Sequence, residues 1–124
     1  MPMNKVVKRL WIEALRSGNY EQGPFALERG AADALRHCCL GVLCRVAINS
    51  GIDLPVSREL QDDAYTAFGD SGNTSVLPSE VIDWAGLDRA DPSVYAGDGL
   101  RALSYLNDQG TPFTKIADLI DKSL

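Results

Sequence analysis

The residues most able to do chemistry stand in one short run, His37-Cys38-Cys39, with Cys44 just beyond it. An imidazole beside two thiols is the material of a zinc site or of a thiolate nucleophile. A structural zinc, however, takes four soft or imidazole ligands, usually from two paired knuckles, and no second Cys or His pair occurs in the chain. On a helix, positions 39 and 44 also point about 140° apart. A nucleophilic thiol must be exposed and lowered in pKa, whereas an apolar run raises it. The cysteines are therefore expected to be packing atoms, with no metal and no catalytic residue among them.

Two acidic spots, Asp62-Asp63 and Asp108, invite a nuclease or glycosidase reading. Asp108 follows Asn107 in an obvious turn, where local backbone capping is the expected duty of both. Asp62-Asp63 read as solvated charge, because nothing places a second acid opposite them. No Walker-type loop, dinucleotide fingerprint or Gly-x-Ser-x-Gly elbow is present, so nucleotide hydrolysis, redox and acyl transfer have no visible anchor. What remains is Asn19–Arg36, where Tyr20, Gln22, Arg29 and Arg36 offer an aromatic ring, an amide and two guanidinium forks, with Arg16 able to join them. Arginine grips phosphate at two points and an aromatic face takes a base. The expected site is Arg16, Tyr20, Gln22, Arg29 and Arg36, taking a small anionic, nucleotide-like ligand without a cofactor.

The elements that position these residues follow from pattern. Asn4–Arg16 reads as a helix, with Val7, Leu10, Trp11 and Ala14 on one face and Gly18 as its stop. Lys5, Lys8, Arg9 and Arg16 then lie on the outward side. Asn19–Arg36 has no sustained period and carries Gly23, Pro24 and Gly30; it reads as an ordered loop with room for a short hairpin. Cys38–Ser50 is apolar on nearly every side, so other elements must wrap it. Gly41 inside it costs about 1 kcal/mol of helix propensity, which a closely packed neighbouring backbone would explain.

Beyond Gly51 the pattern weakens. Glu59–Phe68 could be a helix, while Tyr65–Phe68 and Thr74–Leu77 could pair across Asp70-Ser71-Gly72-Asn73; the hairpin is preferred. Pro78 suits the first position of a short helix that carries Val81, Ile82 and Trp84 and ends at Gly86. Asp88–Gly99 reads as a loop and Leu100–Leu106 as a helix. After the turn Asn107–Gly110, Thr111 caps and Pro112 opens a last helix with Phe113, Ile116, Ala117 and Ile120 on one face. The expected fold is α+β but mainly α: a buried central helix wrapped by short helices and a C-terminal helical hairpin, with one small antiparallel β element, in a single domain over residues 1–124.

Composition agrees with an ordinary globular chain: 124 residues, 45% hydrophobic and 23% charged. The net charge of −5 opposes the phosphate attraction on which duplex binding depends. The run Cys38–Val46 is far shorter than the roughly 20 residues that span a bilayer, and the N-terminus lacks the apolar stretch of a secretory signal. Three cysteines, two of them adjacent, do not form a disulfide framework, so a reducing cytoplasm is the expected setting. An acidic domain with a basic first helix could also self-associate.

Three phrases stand together: Cys38-Cys39-Leu40-Gly41-Val42-Leu43-Cys44; Leu77-Pro78 leading to Val81, Trp84, Gly86 and Leu87; and Leu103, Leu106-Asn107-Asp108, Gly110, Phe113 and Ile116-Ala117. They follow the opening Ala14-Leu15-Arg16-Ser17-Gly18 with Tyr20, Gln22 and Gly23. In this order they resemble a widespread family of small phage and prophage proteins, over Trp11 to Ile120; His37 stands where the family pattern would have an aromatic. The resemblance implies a phage origin, a bacterial cytoplasm as setting and no known enzyme chemistry. The leading expectation is a non-enzymatic accessory protein that sequesters a nucleotide-derived immune signal. The alternatives are a module that covers a host protein through Trp84 or the basic side of the first helix, and a metal-free hydrolase of a small nucleotide using His37 or Asp108.

Overall fold

The computed structural model describes residues 3–59 and 63–124. Its elements run α1 (Lys5–Arg16), β1 (Glu21–Gln22), β2 (Glu28–Arg29), β3 (Arg36–His37), α2 (Cys39–Asn49), β4 (Val56–Arg58), β5 (Thr66–Phe68), α3 (Ser79–Ala85), β6 (Ser93–Ala96), β7 (Gly99–Ala102), α4 (Leu103–Asp108) and α5 (Phe113–Ser123). The helices begin where the residue types demand it. Asn4 caps α1 by accepting the Val6 and Val7 N–H groups on Oδ1 at 2.9 and 3.0 Å. Gly86, in the left-handed region, ends α3. Pro78 and Pro112 each occupy the cap position, one residue before the helix that sequence has them opening.

The expectation of a mainly helical domain, with a buried central helix wrapped by helices and one small β element, is corrected. Five helices are interleaved with seven strands in three small sheets, ordered β1-β3-β2, β4-β5 and β6-β7, among the described residues. β1 pairs with β3 in parallel and β2 with β3 antiparallel, inside the segment read as a loop. β5 pairs with β4, not with Thr74–Leu77, of which only an isolated Phe68↔Asn73 bridge nearby has any counterpart. Asp88–Gly99 contains β6, and Leu100–Ala102 is strand before α4 begins. The physical reason is length: strands of two to four residues are too short to display the alternation by which a strand is recognised. The helical alternative for Glu59–Phe68 is replaced by β5 at its C-terminal end, and its residues 60–62 lie outside the described residues.

One contiguous core gathers Trp11, Leu15, Leu27, Phe68, Leu77, Leu103, Ile116 and Ile120 with the buried residues of α2. α5 packs chiefly on α1, and α4 on α2. The Trp11 indole donates to the Cys39 carbonyl at 2.9 Å, which pins α1 to the start of α2. All three thiols are buried. No helix among the described residues is long and apolar enough to cross a membrane.

The neighbour that Gly41 accommodates is the backbone of Leu27: a Cβ at position 41 would lie 1.6 Å from the Leu27 carbonyl oxygen. Neither side can yield, because the Leu27 segment is also tied through its N–H to Thr74 O at 2.8 Å. Gly41→Ala should therefore cost about 3 kcal/mol or more in urea unfolding, at the upper end of overpacking effects, although alanine is the better helix former.

Candidate functional site

Side chains alternate across a strand, so residues paired across neighbouring strands share a face. The registers Gln22↔His37 and Glu28↔His37 put these three on one side, and Glu21↔Arg36 with Arg29↔Arg36 form the other row. An isolated bridge Arg29↔Tyr65 joins β2 to the start of β5, and Arg58↔Thr66 continues the first row into β4. The two sheets thus act as one small surface. Its inner row runs Gln22, His37, Glu28, Thr66, Arg58; its outer row runs Glu21, Arg36, Arg29, Tyr65.

The inner row is organised by a carboxylate with no exposed surface. Glu28 Oε2 accepts from Arg45 Nε at 2.6 Å and His37 Nε2 at 3.0 Å; Oε1 accepts from Arg45 Nη2 at 2.6 Å and the Thr66 hydroxyl at 2.7 Å. Arg58 donates to Thr66 Oγ1 at 3.0 Å and to the Gly30 carbonyl. Burial alone would raise the Glu28 pKa. The hydrogen bonds from Arg45, His37 and Thr66, with the Arg45 charge, outweigh it and hold the carboxyl far below the usual range. An ionised carboxylate only accepts, so His37 Nε2 is the donor. His37 Nδ1 is buried without a hydrogen-bond partner among the described residues, and the Tyr20 ring meets the imidazole edge to face, with ring centres 5.2 Å apart.

The outer row presents charge to solvent. Arg29 grips Asp63 in two-point fashion, Nε to Oδ1 at 2.9 Å and Nη2 to Oδ2 at 2.6 Å, and its guanidinium lies 4.9 Å from the Tyr65 ring centre. That bond lowers the Asp63 pKa and raises that of Arg29. Arg36, directly opposite Arg29, is exposed and closes no ion pair among the described residues, Glu21 beside it included. Arg29, Arg36 and Asp63 line a recess of about 240 Å³ with Gly23, Pro24, Gly30 and Ala34. A Cβ on Gly23 would stand 2.7 Å from the Arg36 Cβ, so glycine there leaves room for the arginine stem.

Of the five expected site residues, the structure brings Arg29 and Arg36 together and gives the other three different work. Arg16 pairs with Asp118 of α5 at 2.7 Å. Tyr20 is on the inner side against His37. Gln22 donates to Thr111 O at 2.7 Å and Asn107 Oδ1 at 3.0 Å, and accepts the Phe113 N–H at 3.2 Å, which caps α5. Asn107 and Asp108 do not cap locally as expected but reach across the chain. Asn107 donates to Gly23 O at 3.0 Å and accepts the Cys39 N–H at 3.2 Å; Asp108 accepts the Phe25 N–H at 2.9 Å. Asp63, expected to be solvated charge, is the partner of Arg29, while Asp62 lies outside the described residues. Glu28, Asp63 and Tyr65 were not anticipated; each depends on strand register, for which no local pattern speaks.

Burial pushes the Cys38 thiol up to about 11 and raises Cys39 and Cys44 as well. Among the described residues no group of three or more His, Cys, Asp or Glu side chains is gathered as a metal would require. A second basic feature is a groove of about 470 Å³ lined by Lys5, Lys8, Arg9, Ile12, Glu13 and Arg16 of α1 and Asp121 of α5. There Lys8 donates to the Asp121 carbonyl at 2.9 Å.

Residues 3–124 match the model of the family described as Domain of unknown function (DUF8296). The chain belongs to this family. No curated protein and no solved structure matches it. The DUF8296 match takes in every element of both rows, together with α2, which carries Arg45.

The Glu28 network in this DUF8296 chain makes a pH-dependent contribution of definite sign. Its pKa is lowered on folding from the usual 4.5, so the contribution is complete above that value and is lost as pH falls below it. Urea unfolding at pH 7 and pH 3 should show the wild type losing stability on acidification. Glu28→Gln should lose less over that interval while being about 3 kcal/mol less stable at pH 7, since Arg45 is left without its counter-charge.

Proposed function

We propose that this chain is a non-enzymatic binding protein that holds a small phosphate-bearing, nucleotide-like ligand in the recess between Arg29 and Arg36. The observation that carries the reading is the pairing of those two cations directly opposite each other. Like charges in that position are destabilising, and an anion seated between them relieves the cost. Arg29 is already paired with Asp63, and Glu21, in register with Arg36 on its other side, closes no ion pair with it among the described residues, which leaves the planar Arg36 fork open to a phosphate. The inner row directly beneath fixes the backbone of both, and Asp63 fixes the Arg29 fork, so the ordering left for the ligand to pay is that of the Arg36 side chain. Most groups a hydrolase would use are otherwise engaged, His37 Nε2 on Glu28 and the thiols raised by burial.

The biological setting rests on the sequence resemblance alone: a phage or prophage accessory protein, acting in the bacterial cytoplasm, that withdraws a nucleotide-derived immune signal. A second reading, a module that covers an acidic segment of a host protein, is favoured by the basic α1 groove and not by Trp84, which packs partly buried against the core. Arg9→Glu should then release a stoichiometric partner in pull-down, while leaving nucleotide binding intact.

Calorimetric titration against mononucleotides, cyclic nucleotides and ADP-ribose-type compounds tests the main reading. At least one should bind, be recovered chemically intact after the complex is denatured, and lose affinity about tenfold or more with Arg36→Ala. Silence across the panel, or binding indifferent to Arg36→Ala, removes the proposal.

A further inference from the structure

Phe25 is the only residue other than glycine with a positive φ among the described residues, at +69°, and its ring is 66% exposed. A bulky side chain in the left-handed region is strained, and such strain persists only where the surroundings over-determine it. Here they do. The Phe25 N–H is held by Asp108 Oδ1, Gly23 on one side is tied through its N–H to His37 O at 2.9 Å and through its carbonyl to Asn107, and Leu27 on the other donates to Thr74 O. The fold therefore maintains an unfavourable backbone to present a phenyl ring to solvent, where burial gives it no return.

Phe25 borders a pocket of about 140 Å³ whose walls include Cys38, Ser75, Ser104 and Asp108. Gly23 and Pro24, immediately before it, line the Arg36 recess. One short segment thus forms a wall of both cavities, with an aromatic face and a carboxylate on one side and the two guanidinium groups on the other. We infer that Phe25 and Asp108 form the base-recognition half of the ligand site: Phe25 stacks the nucleobase and the Asp108 carboxylate accepts from N–H donors on its edge. This inference rests on the reading of the arginine face as the phosphate site. Asp108 selects the class of base. Its Oδ1 already accepts from Phe25, and an ionised carboxylate offers only acceptors, so the fitting edge is one rich in N–H groups; guanine presents two side by side, uracil one between two carbonyls.

Amide NMR titrations of the full chain with inorganic phosphate, GMP and UMP separate the two claims. GMP should bind about tenfold tighter than inorganic phosphate, the increment of one aromatic stacking platform, and tighter than UMP. Phe25→Gly suits the backbone conformation, so it should fold with Tm within a few degrees of the wild type. It should bring GMP affinity down to that of phosphate while phosphate affinity stays unchanged, whereas Arg36→Ala should weaken both. Asp108→Asn should erase the preference for GMP over UMP. GMP binding no tighter than phosphate, or unaffected by Phe25→Gly, overturns the inference and leaves the arginine face standing. GMP binding that needs Phe25 but not Arg36 overturns the arginine face instead, and with it the linkage argued here. No binding of either compound overturns both.

Discussion

The carboxylate of Glu28 is the constraint on which the rest depends. A buried, unpaired charge would be prohibitive, and this one is tolerated only because Arg45, His37 and Thr66 fill both oxygens. Those donors come from α2, β3 and β5, so a single side chain on β2 ties together four elements, of which β5 stands farthest off in sequence. Two-residue strands have almost no ladder of their own to define register. The ion network supplies that definition: slipping β2 by one residue would carry Glu28 to the solvent face and Arg29 into the core. The outward placement of Arg29 and Arg36 is a consequence of where Glu28 must be.

A second set of constraints is polar but uncharged. Gln22 and Asn107 exchange a hydrogen bond and between them satisfy the first N–H groups of α2 and α5, whose cap positions, Cys38 and Pro112, make no side-chain capping bond. Helix starts without such partners leave buried donors unpaired. The same Asn107 holds the Gly23 carbonyl, and the neighbouring Asp108 holds Phe25. The C-terminal turn thereby fixes the segment between β1 and β2 that walls both cavities. The asparagine and aspartate are structural for the fold and positional for the site at once.

How much of this was legible in sequence divides by period. α1 and α5 were recognisable because Val7 and Trp11, and Ile116 and Ile120, repeat at helical spacing; α2 was recognisable as a run apolar on nearly every side, and α3 by Pro78 and Gly86 at its ends. The sheets were not, since β1, β2 and β3 hold two residues each and β4 has its partner beyond a connection, not across the Asp70–Asn73 turn. For the site, arginine and tyrosine chemistry was visible but its pairing was not. Tyr20 is the ring the linear reading puts with the arginines; register instead puts Tyr65 beside Arg29 and Tyr20 behind it, against His37. Glu28 gave no signal, because a lone glutamate before an arginine reads as surface charge.

The two faces of the small sheet make opposite use of electrostatics. Inside, the Glu28 charge is compensated by Arg45; outside, Arg29 and Arg36 are set side by side, with Asp63 paired to Arg29 alone. A surface with no task could relax by turning Arg36 into any other residue, since nothing in the described structure leans on its guanidinium. Phe25 presents the same asymmetry in apolar form, an exposed ring on a strained backbone that glycine would suit better. Local unfavourable choices held by a well-satisfied framework are what the proposed binding role would account for. Here both fall on one stretch of chain, Gly23 to Arg36, in which the buried Glu28 carboxylate sets the outward placement of the arginines while Asn107 and Asp108 hold the Phe25 segment.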